Sequence, residues 1–207
     1  MKKIMLLGLL VTTFGFAQKK TETNTSTPKT DTIVLAGGCY WCVEAVYENL
    51  MGVEKVVSGF AGGTVKNPSY EAVSSGDTGA AEVVQITFDP TVTNLNEIFK
   101  VFFTVHDPTT LNRQGADVGT QYRSAIFYKN EAQKKAGQQI IQALTKAKVY
   151  NSPIVTTLEP FTGFYKAKES HQNYYEKNSN QPYCQMVIQP KLEKFEKVFK
   201  SQLKSKN

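Results

Sequence analysis

The chain has 207 residues, 41% of them hydrophobic and 20% charged, with a formal net charge of +6 at pH 7. The positive excess sits at the ends: two lysines in residues 1–17, a net of one across residues 18–31 and a net of four from Lys191 onward leave about −1 for residues 32–190. A nearly neutral body has no basic field for a polyphosphate backbone, so nucleic acid is excluded as an expected partner.

Residues 1–17, MKKIMLLGLLVTTFGFA, place two lysines before a short apolar run and end on Gly15, Phe16 and Ala17. This is the pattern of a cleaved signal peptide, and the run falls short of the ~20 residues a bilayer span needs. Export is therefore expected, to the periplasm in a cell with an outer membrane, with no stable membrane insertion once the leader is gone. Residues 18–31 are nearly devoid of apolar side chains and read as a disordered polar linker. Residues 32–207 remain, enough for one domain with its own core. The chain has three cysteines, and an odd number in an exported protein leaves at least one thiol outside any structural disulfide.

Along the body, residues 32–36 form a β-branched run expected to be a buried strand. Residues 39–51 carry Val43, Val46, Tyr47 and Leu50 at helical spacing, stopped by Gly52. Residues 53–60 and 81–88 read as strands, the second alternating in character. Between them, the Gly, Ser and Asn-rich stretch 61–79 reads as a loop. Asn94 followed three positions later by Glu97 opens a helix through Val105, and residues 131–148 form another. Residues 123–128 and 154–158 are the remaining strand candidates. In the basic tail, Leu192, Phe195, Phe199 and Leu203 share a helical stripe, expected to dock on the body while the lysines stay solvated. Strands and helices mix without strict alternation, which predicts an α+β fold.

The sequence GGCYWC at residues 37–42 sets Cys39 and Cys42 two residues apart, at the junction of the first strand and first helix. Zinc would want a second pair or closely spaced histidines. The chain offers one distant Cys184 and the isolated His106 and His171, so no metal is expected. Two readings stay open on these residues alone. A helix N-terminus stabilises a thiolate, which suits either a disulfide-exchanging dithiol or a single cysteine nucleophile. Tyr40 and Trp41, between the cysteines, look like the wall of a pocket for a small apolar group.

GGCYWCVEAVYENLMGV resembles the signature of the A-type peptide methionine sulfoxide reductases. GAAEVVQITFDP, HDPTTLNRQGADVGTQYRSAIFY and HQNYYEKNSNQPYC resemble three further blocks of that family in the same order, so the likeness runs from about residue 33 to 190. It implies a two-layer α/β sandwich around a mixed sheet with a ferredoxin-like core. It also implies reduction of methionine-S-sulfoxide, in oxidised proteins and free, with no cofactor. In that scheme Cys39 is the nucleophile and becomes a sulfenic acid, and Glu82 protonates the departing oxygen. Tyr70 and Tyr122 hydrogen-bond that oxygen, Asp117 orients a water or a tyrosine, and Tyr40 and Trp41 hold the S-methyl group. Cys184, in a stretch that reads as a mobile loop, resolves the sulfenic acid as a Cys39–Cys184 disulfide, which a thioredoxin-like reductant then opens. A monomer is expected. Cys42 is read as packed. His171 and Gln172 match a family pair near the site, with substrate contact and bracing both open. The chain departs from the family at Tyr40, where Phe is usual and the added hydroxyl needs a partner, and at Ala80 and Ala116. The alternatives are a general disulfide oxidoreductase using Cys39 and Cys42, and a non-catalytic envelope binding protein.

Overall fold

The computed structural model describes residues 30–205. The leader reading for residues 1–17, and all but the last two residues of the linker, lie outside them.

Strand β1 (Asp31–Gly37) is followed by helix α1 (Tyr40–Glu48), strand β2 (Val53–Ala61), helix α2 (Tyr70–Ser74) and strand β3 (Ala81–Phe88). Helix α3 (Leu95–Val105) comes next, then the short strands β4 (Arg113–Gln114) and β5 (Asp117–Val118), β6 (Ser124–Tyr128) and α4 (Glu131–Lys146). The chain closes with β7 (Thr157–Pro160), β8 (Tyr165–Lys166), α5 (Tyr174–Asn178) and α6 (Gln189–Val198).

The main sheet runs β7-β6-β1-β3-β2-β8. Its centre, β6-β1-β3-β2, is antiparallel throughout. With α1 and α3 as crossovers this is a βαββαβ, ferredoxin-like core. Parallel pairing of β7 on β6 makes the sheet mixed. The resulting architecture is the expected α+β fold.

Successive strand side chains point to opposite faces. Ile33, Leu35, Val84, Ile86, Phe88 and Ile126 meet α1, α3, α4 and α6 on one face. The smaller Val34, Ala36, Ala61, Ala81, Val83, Ala125 and Phe127 are covered on the other face by Phe161 and Phe164. Central strands are thus buried on both sides, β3 among them.

Helix starts follow local capping chemistry. Asn94 Oδ1 accepts from Glu97 N at 3.1 Å, and Asn130 Oδ1 from Gln133 N at 2.9 Å. The stretch read as a loop holds one element: Ser69 Oγ accepts from Ala72 N at 3.2 Å and starts α2, whose first residue is Tyr70. The strand expected at 154–158 lies further along, as β7. The tail docks by its apolar stripe, with Phe195 fully buried and Leu192 and Leu203 against the same core.

The largest departure concerns Cys184. It does not sit in a loop: residues 182 and 183 are helical, and Cys184–Ile188 form one wide π-helical turn that runs directly into α6. Cys184 and Ile188 are fully buried. No helix among the described residues is long and apolar enough to cross a membrane.

Candidate active site

Strand β1 leaves the sheet through Gly37 and Gly38. Gly38 has φ +90°, in the left-handed region, and a Cβ there would lie 2.5 Å from the Gln114 side chain. Gln114 is itself fixed, accepting from Asp107 N at 2.9 Å and donating to Asp107 O at 3.0 Å. The tight turn delivers Cys39 to the N-cap of α1, where its side chain makes no capping bond. Its sulfur is therefore left over for chemistry at the positive end of the α1 dipole.

Glu82 is reached by strand parity. It lies on β3 two residues before Val84, hence on the helix face, opposite Phe60 of β2. It is 2% exposed, and its Oε2 accepts from Tyr40 N at 3.0 Å. The start of α1 thus sits directly on the carboxyl group. Burial pushes Glu82 up to about 8, with Asp117 and Cys42 adding to the rise against the opposing Tyr40 amide bond.

These groups line a cavity of about 230 Å³ together with Trp41, Tyr70, Asp117, Tyr122 and Tyr183. Every residue expected at the site except Cys184 borders it. Larger openings lie elsewhere, including a groove of about 1090 Å³ lined by Glu48, Glu54, Glu176 and Glu193, which holds none of these residues. Burial raises the phenols of Tyr40, Tyr70 and Tyr122, keeping them protonated donors. Trp41 is stacked on Tyr174 with centroids 3.7 Å apart and planes 8° from parallel, which fixes its indole as a wall.

The three cysteines, all free thiols, pack in one buried cluster with Ala45 and Ile188. Burial pushes the Cys39 thiol well up, reinforced by Cys42 and Glu82, while a hydrogen bond with Tyr183 opposes the rise. Cys42 is held down to about 7, chiefly by its hydrogen bond with Cys39 and further by Lys191 of α6. Burial also raises Cys184. Among the described residues no group of His, Cys, Asp and Glu is arranged to hold a metal ion.

Tyr183 was not singled out from the sequence. Its hydroxyl donates to Asp117 Oδ2 at 2.8 Å, its ring stands edge-on to Trp41, and it neighbours Cys39. Its position immediately before Cys184 was the available signal. The pair left open also separates. Gln172 braces the backbone, accepting from Ser58 N at 3.0 Å and donating to Ser58 O at 2.9 Å, whereas His171 reaches the Tyr40 hydroxyl at 2.8 Å.

The family model for peptide methionine sulfoxide reductase matches residues 31–203, nearly all of the described chain. The chain belongs to this family. It is 50% identical over 173 residues to the peptide methionine sulfoxide reductase MsrA of Trichodesmium erythraeum, covering 84% of this chain and 98% of the relative. Among solved structures it is similar to the reduced form of Mxr1 from Saccharomyces cerevisiae, with a TM-score of 0.68, 36% identity and coverage of 77% and 91%. Methionine sulfoxide reductase A of Corynebacterium diphtheriae gives a TM-score of 0.65 and 34% identity, with 73% and 76% covered. The resemblance read from the four sequence blocks and the family membership therefore agree, and the protein is an oxidoreductase of the peptide methionine sulfoxide reductase family.

Proposed function

We propose that the cavity reduces the S epimer of methionine sulfoxide, in oxidised proteins and as the free amino acid. The observation that carries this reading is a buried glutamic acid, protonated at neutral pH, facing the same 230 Å³ cavity as a helix-N-terminal cysteine and two tyrosine hydroxyls. A sulfoxide oxygen leaves only if it is protonated, and this group is placed to protonate it.

Burial keeps Cys39 a thiol before substrate enters. A neutral Glu82 removes one of the charges that disfavour its thiolate. As the S-methyl group settles against Tyr40 and Trp41, Cys39 Sγ attacks the sulfoxide sulfur, and its proton replaces the one that Glu82 gives to the oxygen, so the carboxyl group ends neutral as it began. Glu82 delivers a proton to the oxygen, and the Tyr70 and Tyr122 hydroxyls donate to it as its charge grows. The oxygen ends on Cys39 as a sulfenic acid and the substrate leaves as the thioether. Cys184 then attacks Cys39 Sγ, water departs and a Cys39–Cys184 disulfide forms. An external dithiol of the thioredoxin type restores both thiols and carries away the oxidising equivalents as its own disulfide. The working form is read as a monomer, and residues 1–17, read as a leader, support work outside the cytoplasm.

The test supplies leaderless protein with N-acetylmethionine sulfoxide racemic at sulfur and excess dithiothreitol, followed by chiral chromatography. Loss of the S epimer alone is the expected result, with C184S blocked when a thioredoxin-type protein replaces dithiothreitol. Consumption of neither epimer, together with reduction of a test disulfide, would make Cys39 and Cys42 an exchanging pair and overturn the proposal.

A further inference from the structure

The Tyr40 hydroxyl is buried with the rest of its side chain, which is 1% exposed, and its partner is His171 Nδ1 at 2.8 Å. His171 does not border the cavity, yet it touches three residues that do. Its ring is edge-on to Tyr40 with centroids 5.9 Å apart, stacked on Trp41 at 5.5 Å and tilted against Tyr70 at 4.7 Å. One imidazole thus backs both walls of the expected methyl pocket and one of the oxygen-binding tyrosines. The charged groups facing it are Lys168 and Glu71, which are 3.5 Å apart and pair with each other. Burial, then Lys168, holds His171 below its ordinary range. The ring is neutral at pH 7, and with its hydrogen on Nε2 it accepts from the Tyr40 hydroxyl at Nδ1.

Tyr40 is therefore tied at both ends. Its backbone N–H is held by Glu82 Oε2, and its hydroxyl by His171. A phenylalanine ring at this place would keep the shape and lose the outer tether. The two tethers fix the distance between the ring face and the general acid, which is the width available to the group carried on sulfur.

We infer that His171 is a positioning residue, acting through the Tyr40 hydroxyl to hold the methyl-binding wall at a fixed width and so to select S-methyl over larger S-alkyl sulfoxides. This rests on the sulfoxide-reductase reading of the cavity and adds to it the determinant of substrate size. The contact is made in the ground state and the transition state alike, so its loss acts on KM more than on kcat.

The experiment measures kcat and KM for the S epimers of methionine and ethionine sulfoxides in wild type, Y40F, H171A, H171N and the doubles Y40F/H171A and Y40F/H171N. Y40F is expected to raise KM for methionine sulfoxide roughly three- to tenfold, the loss expected for one hydrogen bond, with a smaller change in kcat. The same variant lowers the preference for methyl over ethyl. In the double-mutant cycle the KM effects of Y40F and H171A fail to add, because either change removes the same bond. H171N and H171A both lose the ring, but asparagine keeps an acceptor. It recovers part of the KM when Tyr40 is present and none in the Y40F background. An unchanged KM in Y40F, additive effects in the cycle, or equal H171A and H171N in the Tyr40 background would overturn the inference. A wild type inactive on every sulfoxide removes the underlying reading and the inference with it, whereas an active wild type beside an indifferent Y40F rejects the inference alone.

Discussion

Glu82 shows how strand parity and burial combine at a single position. Parity puts it on the helix side of β3, where its neighbours at every second residue, Val84 and Ile86, are fully buried. A carboxyl group placed there stays neutral because its charged form would be stripped of water. The sign of the consequence is fixed. An unfolded glutamate titrates near 4.5 and the folded one near 8, so between these pH values the native state holds a proton the unfolded state has lost. The stability tied to that proton is fully present below pH 4.5 and is lost as pH rises through 8. Glutamine has no proton to lose. Thermal melts should therefore show E82Q gaining on wild type as pH rises from 5 to 9, while its turnover falls by ~10²-fold or more through loss of the acid. In the wild type, kcat/KM should decline above about pH 8; a profile flat from 7 to 9 would rule Glu82 out as the proton donor. None of this was readable at the residue itself, since an isolated glutamate in a strand is more often on a surface. The Tyr40 hydroxyl was visible as an orphan in need of a partner, but the partner lies 131 positions away.

The helix that carries Cys184 behaves differently from the mobile loop its composition suggested. Asn178, Ser179, Asn180 and Pro182 look like breakers, yet Pro182 falls at the start of a helix, where its missing N–H costs nothing. Ile188, Leu192 and Phe195 then give the segment an apolar face to bury. The π turn at Cys184–Ile188 is the one irregularity, and wide turns of this kind are weak points in a helix. Bonding Cys184 to Cys39 draws on this turn and on Tyr183, whose link to Asp117 holds it in place. Hydrogen exchange should show residues 182–188 less protected after one equivalent of substrate, without reductant, than in the reduced protein. Equal protection would mean that the disulfide forms without disturbing the turn. Long elements with strong periodicity, α3 and α4, were legible from sequence, with bounds within two residues or so. Two-residue strands such as β4, β5 and β8, and the five-residue α2, have too few side chains to make a period.

At the scale of the molecule, export is read from residues 1–17 alone, and it is tested by mass spectrometry of the protein recovered from an expressing bacterium. Cleavage after Ala17 would give a mature chain beginning at Gln18, found outside the cytoplasm; an intact N-terminus in the cytoplasm would reject export. The C-terminal segment closes the fold from the other end. Leu203 bridges to Leu50 and Lys204 N donates to Asn49 O at 2.9 Å, so the tail that looked like a basic amphipathic helix is structural. The sequence by itself determined the chemistry available: which cysteine follows the glycine turn, which glutamate and tyrosines accompany it, and the family they belong to. Those are properties of local motifs, and four ordered motifs over most of a chain leave little freedom. Tertiary structure alone decided what each group does with its surroundings: the neutral Glu82, the buried and helical Cys184, the Tyr183–Asp117 link and the Tyr40–His171 tether. Each depends on a partner from a distant segment and on water excluded by packing, and neither is encoded at any one position.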